Sequence, residues 1–407
     1  MDYRTTIVRR ASGPWRGQRG RQGGASQGTA VASPPAPTTR KTPEPLVETN
    51  GPTVRVDRAI FTSVRSPTGE GYRIIASTSG LNSAEKTEIT RRCPSHGALC
   101  SDEPDASGLF VFVLPTSRVC VGHVVHAGTE HTGRGGLRVY TQVIVLSGAD
   151  YRRFDANPWR VRSALLAVVG DATDCSPPKT LEPMTLPVPP QRQFMTAMRD
   201  EAEVAQRISV LSHLLTGTRF IVCDAPASRE LIESSLMAMP LFMRETLSFS
   251  TGLKFSLSRQ LQWSLVEGDQ STTQQKIKGQ PVQWFDYGGV TPAAEARQYR
   301  NWLDFVARWW SGSRHERLAR LTTRMTAAMH PTTLGWIATI CNDLDRVDGA
   351  TLESLDELAA KYRGFLAEDE VEESLVADLL ASIESERALR EEEQRAKEEA
   401  EEDAERE

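Results

Sequence analysis

Five short runs of β-branched and aromatic residues constrain the fold of this chain more than any other feature of its sequence. Each run has the length of a single strand and is bounded by Gly, Pro or Asp residues. The runs are Ala59 to Val64, Tyr72 to Ser79, Leu109 to Leu114, Val119 to Val125 and Arg138 to Leu146. They predict a β-rich N-terminal α+β domain over residues 53–175.

Two helices and a linker complete this region. Asn82 is followed three residues later by Glu85, the spacing of a capping box in which two side chains bind free backbone amides. A second helical stretch lies around Arg160 to Val169 and closes the domain. Residues 176–190 then contain six prolines, which predicts an extended and fairly stiff linker.

The residues after the linker predict a second α+β domain over residues 191–290. A helical stripe is followed by Phe220 to Cys223, a continuous apolar run suited to a strand that is buried on both faces. Further strands are predicted at Thr246 to Thr251, at Leu261 to Val266 and near Val282 to Tyr287. From Ala293 onward the pattern is helical, so a C-terminal helical segment over residues 291–383 completes an α+β chain.

The two ends of the chain carry opposite charges. Residues 1–50 hold eight Lys and Arg against three Asp and Glu, whereas residues 384–407 hold twelve acids against five bases. Residues 1–52 are predicted to be a disordered arm, because they have almost no large apolar side chains to bury. The arginines set among glycines in this arm leave nucleic-acid binding open as an alternative function. Residues 384–407 are predicted to be an acidic, solvated helix or a disordered tail.

The sequence favours a cytoplasmic protein without a membrane segment. The longest apolar runs have six residues, far fewer than the eighteen or so that span a bilayer. No hydrophobic stretch follows the N-terminal arginines, so a secretory signal is not expected. The six cysteines are scattered along the chain and do not resemble an extracellular disulfide framework.

A group of cysteines and histidines offers an alternative, a metal-dependent or thiol-dependent enzyme. Zinc takes four Cys or His ligands, and pairs that lie two to four residues apart often supply them. The residues concerned are Cys93, His96, Cys100, Cys120 and His123. Two features oppose a zinc site: the chain has no Cys-x2-Cys pair, and strand alternation places Cys120 and His123 on opposite faces.

The other motifs that carry chemistry are missing from the sequence. The Gly-rich segments lack the Gly-Lys-Ser or Gly-Lys-Thr ending of a phosphate-binding loop. There is also no Gly-x-Ser-x-Gly nucleophile motif and no His-Glu-x-x-His zinc motif. We therefore expect neither catalysis nor a bound cofactor.

Several segments, in a fixed order, resemble a known family. The resemblance is to the N-terminal and middle domains of bacterial GTPase-associated proteins, and it extends over roughly residues 57–290. The matching segments are Phe61 to Ser63, Gly69 to Gly71, Ala76 to Leu81, Glu130 to Gly136, Pro240 to Arg244 and Thr246 to Thr251. Glu130 stands where the family usually has Asp, and Thr141 lies where a histidine is common.

The resemblance implies a component of a bacterial conflict system that is encoded near a small GTPase. Its expected role is that of an adaptor or regulator that acts through protein–protein contacts. A site at one rim of the domain would then bind a GTPase or another product of the same gene cluster. The candidate residues for this partner-binding site are Thr62, Ser63, Gly69, Gly71, Ser77, Ser79, Gly80, Glu130, Gly133, Arg134 and Gly136.

The same residues also have a purely structural interpretation. Turn glycines permit a positive φ or a close approach of two backbones, and neither requires a partner. A hydroxyl cannot replace a histidine as a base, because it lacks a near-neutral pKa, so Thr141 argues against catalysis at this position.

Overall fold

The computed structural model describes residues 51–66, 69–130, 135–170, 173–190, 200–225, 228–268, 270–367 and 369–406. The described residues belong to one compact unit, Glu48–Glu407. All but the last two residues of the predicted arm, residues 1–52, lie outside the described residues. Gly133 and Arg134 of the predicted partner-binding site also lie outside them.

The described residues form both strands and helices, with the strands ahead of a C-terminal run of helices. The strands are β1 (Thr53–Ser66), β2 (Gly69–Thr78), β3 (Ser107–Val113), β4 (Val119–Thr129), β5 (Leu137–Leu146), β6 (Thr180–Leu181), β7 (Met184–Pro187), β8 (Phe220–Cys223), β9 (Phe249–Thr251), β10 (Trp263–Val266) and β11 (Gln283–Asp286). The helices are α1 (Ser83–Arg92), α2 (Gly148–Arg152), α3 (Pro158–Val169), α4 (Glu201–Leu215), α5 (Ser228–Ala238), α6 (Leu241–Thr246), α7 (Gln270–Ile277), α8 (Arg300–Ser311), α9 (His315–Arg324), α10 (Pro331–Leu344), α11 (Leu352–Tyr362) and α12 (Glu370–Arg406).

One mixed sheet joins the strands. Its order is β11-β8-β10-β9-β3-β4-β5-β1-β2-β6, and β7 pairs with β1 outside this path. The strands β8 to β11 pair in parallel, whereas β1 to β5 pair antiparallel. The predicted α+β class is therefore confirmed, and all five runs of the N-terminal region form strands.

The pairing of β3 with β9 connects the two regions that the sequence suggested as separate domains. Leu109 lies opposite Thr251 and Val111 opposite Phe249 in this antiparallel pair. The proline-rich residues between the two regions also enter the sheet, because β7 pairs with the start of β1. The domain boundaries stay a prediction, but strands from both regions lie in a shared sheet.

Apolar side chains cover both faces of this sheet. The larger cluster extends from β1 through α3, α4 and the C-terminal helices, and it includes the fully buried Trp302 and Phe305. A smaller cluster lies on the other face beneath α1, where Ile89 packs with Phe110 and Phe112. Burial of side chains this large contributes about 2 to 3 kcal/mol each to folding.

The capping signal and the C-terminal pattern both appear in the structure. Asn82 caps α1 in a complete capping box with Glu85. In α12 the apolar stripe that includes Leu379 and Ile383 is buried, while the described side chains beyond Arg390 are exposed. Within the described residues, none of the helices combines the length and the apolar character that crossing a membrane requires.

One predicted strand begins later than expected. Thr246 ends α6 and Leu247 follows as its C-cap, so β9 begins only at Phe249. The helix extends this far because the backbone N–H of Leu247 donates to the carbonyl of Arg244 at 3.3 Å. That contact holds the chain in a helical turn just before the strand.

Candidate functional site

A buried carboxylate, Glu130, organises the largest group of the predicted site residues. Glu130 follows the last residue of β4, and its side chain is completely buried. Ser63 Oγ donates to Glu130 Oε1 at 2.9 Å, and Tyr72 OH donates to Glu130 Oε2 at 2.7 Å. Two hydroxyl donors hold this carboxylate in place, because a buried charge is costly unless it accepts hydrogen bonds.

The register of the first two strands brings both donors to Glu130. Ser63 on β1 lies directly opposite Tyr72 on β2. The Tyr72 hydroxyl also accepts the backbone N–H of Val139 at 3.1 Å. Burial raises the pKa of Tyr72 well above its usual range, so the phenol stays protonated and keeps donating to Glu130. Thr62 is bound in the same region, since its Oγ1 donates to the carbonyl of Val139 at 2.8 Å.

His96 and Gly136 complete this end of the domain. His96 Nδ1 lies 3.9 Å from Glu130 Oε2, too far for a hydrogen bond but close enough for an ion pair when the ring is protonated. The carbonyl of Gly136 accepts the backbone N–H of Glu130 at 3.1 Å. Gly136 has a φ of +78°, a left-handed conformation that favours glycine.

Three other predicted residues lie at the opposite end of β2. Ser77 is half-buried, while Ser79 and Gly80 are exposed. A Cβ atom at Gly80 would lie 2.4 Å from Asp57 Oδ1, so a side chain there would collide with this carboxylate. Asp57 in turn accepts hydrogen bonds from Thr78 at 2.7 Å and from Arg118 at 2.5 Å. Gly80 therefore makes room for an internal ion pair.

The structure thus divides the predicted partner-binding residues between two places. Thr62, Ser63, Glu130 and Gly136 lie together, and Gly69 and Gly71 follow on β2 near the same end. Ser77 lies six residues beyond Gly71 along an extended strand, a separation of about 20 Å. The described residues of this set do not gather on one rim, and partner binding by them stays a prediction.

Two polar residues in these groups were missed by the sequence analysis, Tyr72 and Arg118. Tyr72 lies within a predicted strand, but its place opposite Ser63 depends on a register that shifts between Ile60 and Phe61. Arg118 binds both Asp57 and Glu85, residues that are distant in the sequence. No local sequence pattern indicates the contacts of Arg118, because the three residues come together only in the folded chain.

The five residues of the alternative enzyme site point in different directions. Cys93 and Cys120 are buried in the smaller apolar cluster, and burial raises the pKa of both thiols. Burial likewise raises the pKa of Cys100. His96 lies beside Glu130 instead. Among the described residues, no three His, Cys, Asp or Glu side chains come together as metal ligands would.

His123 lies on the opposite face of β4 from Cys120. Its ring is 3% exposed, and its Nε2 has no hydrogen-bond partner among the described residues. Burial, with a smaller contribution from Arg162, lowers the pKa of His123 to about 4. The ring is therefore neutral in the folded protein at pH values where an unfolded chain already binds a proton.

Removing His123 is expected to make the protein more resistant to acid. Since the folded pKa lies below the unfolded one, stability from the neutral ring is complete above pH 6.5 and is lost as the pH falls toward 4. In the His123→Leu variant the free energy of unfolding should fall less between pH 7 and pH 5, by about 2 kcal/mol. Denaturant unfolding at both pH values measures this difference. The same replacement at the exposed His330 is the control, and equal pH profiles for all three proteins would contradict the assignment.

A comparison with protein families found a match in the N-terminal region. Residues 55–164 match the family model described as GTPase-associated protein 1, N-terminal domain type 2. The matched range runs from β1 to α3 and contains Glu130, Ser63 and Tyr72. A comparison with curated proteins gave no match. The segments at Pro240 to Thr251, which also carried the resemblance, lie outside the matched range.

Proposed function

We propose that this chain, which carries the N-terminal domain of the GTPase-associated proteins, is a non-catalytic adaptor or regulator of a GTPase. The domain associates the chain with a GTPase system. The proposal adds that the chain works in the bacterial cytoplasm, within a multi-gene conflict system, and acts by contacting other proteins. Its direct partner would be a GTPase encoded in the same gene cluster.

The burial of Thr62, Ser63 and Glu130 is the observation that supports a non-catalytic role. The side chains of Thr62 and Ser63 are fully buried, and both hydroxyls donate to groups of the chain itself. A general base or nucleophile must reach the substrate within hydrogen-bonding distance. Ser63 instead joins β1 to the residue after β4, and Thr62 joins β1 to β5, which are structural contacts.

The thiols provide a second, weaker support. A cysteine acts as a nucleophile through its thiolate, and a catalytic thiol therefore has a lowered pKa. Burial shifts the pKa of Cys93, Cys100 and Cys120 in the opposite direction. None of the three has the environment of a reactive thiol.

The proposal predicts binding of the GTPase without hydrolysis of GTP by this chain. The purified full chain should retain the GTPase encoded beside its own gene in a pull-down, and alone it should release no phosphate from GTP. An unrelated small GTPase, loaded with the same nucleotide, is the control. Retention no greater than that of the control would overturn the adaptor role. Phosphate release by the isolated chain, lost on Glu130→Gln substitution, would instead show an enzyme.

A further inference from the structure

An open groove borders the outer edge of β2, which is the edge that does not pair with β1. The groove has a volume of about 720 Å³ and lies between β2, α1 and the chain just before β6. Its polar lining is basic or hydroxyl-bearing, and in the described part of the chain it includes no Asp or Glu. The main polar side chains are Arg73, Lys86, Lys179, Ser77, Ser83 and Thr87.

In the described part of the chain, β6 pairs with one end of this strand edge. Thr180 and Leu181 pair in parallel with Ser77 and Thr78, and no other described strand lies on this side of β2. Extending the same register backward would place Pro178 opposite Ile75. Proline has no N–H to donate, so the added pairing ends there. No described strand pairs with residues 72–76 on this side of β2, a stretch of edge about 16 Å long.

The basic side chains beside this edge have no acidic partner among the residues that the structure describes. Arg73 and Lys179 are exposed and Lys86 is half-buried, and none of the three forms an ion pair with another described residue. This contrasts with Arg118 nearby, which binds two carboxylates. Three cations around one groove, with no ion pair to any described carboxylate, favour an anionic ligand.

We infer that the free edge of β2 docks an acidic, extended segment of a partner protein as an additional strand. An added strand satisfies the unpaired backbone groups of an edge, and alternate side chains of the segment enter neighbouring grooves. Acidic side chains of the segment would pair with Arg73, Lys86 and Lys179. This inference rests on the proposed adaptor role, because it supplies a surface for the contact with the partner.

Charge and backbone shape argue against a second copy of this chain as the occupant. Pairing two β2 edges would bring the same three cations of both copies together, and like charges across a strand pair are destabilising. The bulge at Ile75, where Ala76 and Ile74 lie opposite Ile60 and Phe61, twists the edge further. Such features discourage self-association of an edge while leaving it open to a complementary strand.

A labelled peptide in which Glu alternates with Val and Thr is the probe for this groove. We expect the full chain to bind it, measured by fluorescence anisotropy, with an affinity that falls as the salt concentration rises. Combined Arg73→Glu, Lys86→Glu and Lys179→Glu substitutions should weaken binding at least about tenfold. The matched control is Lys276→Glu with Lys278→Glu, two exposed lysines of α7 and the turn after it.

A second peptide separates strand addition from simple charge attraction. Methylation of alternate backbone nitrogens keeps the charge of the probe but removes the donors that pair with a strand edge. We expect this peptide to lose binding. Equal binding of both peptides, or equal weakening by the groove and control substitutions, would overturn the inference.

The GTPase pull-down distinguishes a failure of this inference from a failure of the proposed function. If the unsubstituted chain retains the GTPase and the groove variant does not, both are supported. If both proteins retain it equally, the adaptor role stands and the groove is not its docking surface. If neither the unsubstituted chain nor the variant retains the GTPase while the peptide still binds the groove, the adaptor role falls and the acidic-strand site remains.

Discussion

Replacing Gly252 with alanine is expected to destabilise the protein by about 4 kcal/mol. Gly252 follows β9 with a φ of +69°, and a Cβ atom there would lie 2.3 Å from the backbone oxygen of Ser107. The carbonyl of Gly252 also accepts the N–H of Cys100 at 3.0 Å. A side chain would therefore strain the backbone and push apart β9 and the start of β3.

Gly217 is the matched control for this substitution. It has a nearly equal φ of +71°, but apart from its two chain neighbours no described residue comes within 4 Å of the position that a Cβ would occupy. Alanine there should cost about 1 kcal/mol, the backbone strain alone. Denaturant unfolding of the two variants measures the difference, which is the cost of the collision. Equal losses would show that β3 and β9 do not approach as closely as the structure has them.

Individual strands could be predicted from the sequence, whereas the pairing of β3 with β9 could not. Runs such as Phe220 to Cys223 identify strands, because an apolar run bounded by turn residues has few other stable conformations. Which strands pair is a different question, because Leu109 and Thr251 lie far apart in the chain and no local pattern encodes their contact. The shared sheet was missed for this reason, and the proline-rich residues were interpreted as a linker.

Some residues around Glu130 could be singled out from the sequence, but their arrangement could not. Ser63 and Glu130 were singled out together by the resemblance, and the structure joins them by a hydrogen bond. Gly80 was placed in the same group, yet it lies at the other end of β2 against Asp57. The sequence order of turn residues does not reveal which end of a strand each occupies until the register is known. The register here also contains a bulge, which brings Tyr72 opposite Ser63.

The basic groove could not be predicted from the sequence either, because its side chains come together only in the fold. Arg73, Lys86 and Lys179 come from a strand, a helix and the chain before β6, and each is unremarkable in its own segment. Their common charge becomes meaningful only when the fold places them around one free strand edge. The unpaired edge itself follows from Pro177 and Pro178, which the sequence analysis had treated only as a source of stiffness.

Glu130→Ala is expected to be the most disruptive substitution within the candidate site. It removes the acceptor of both Ser63 and Tyr72, whose hydroxyls would be left in a buried space without their bonds. Lost hydrogen bonds and the cavity together should lower the free energy of unfolding by about 4 kcal/mol. Glu130→Gln keeps the shape and one acceptor oxygen, so its cost should be smaller, about 2 kcal/mol.

The exposed Glu70 provides the control near the same end of the strand pair. Its carboxylate binds Arg65 at 2.7 Å on the surface, where such pairs contribute at most about 1 kcal/mol. Unfolding in denaturant should therefore rank the variants Glu130→Ala, Glu130→Gln and Glu70→Ala in order of decreasing loss. Tyr72→Phe combined with Glu130→Ala should cost less than the sum of the two, because both remove the same hydrogen bond. Additive losses, or a loss for Glu70→Ala as large as that for Glu130→Ala, would show that the buried carboxylate does not hold these strands together.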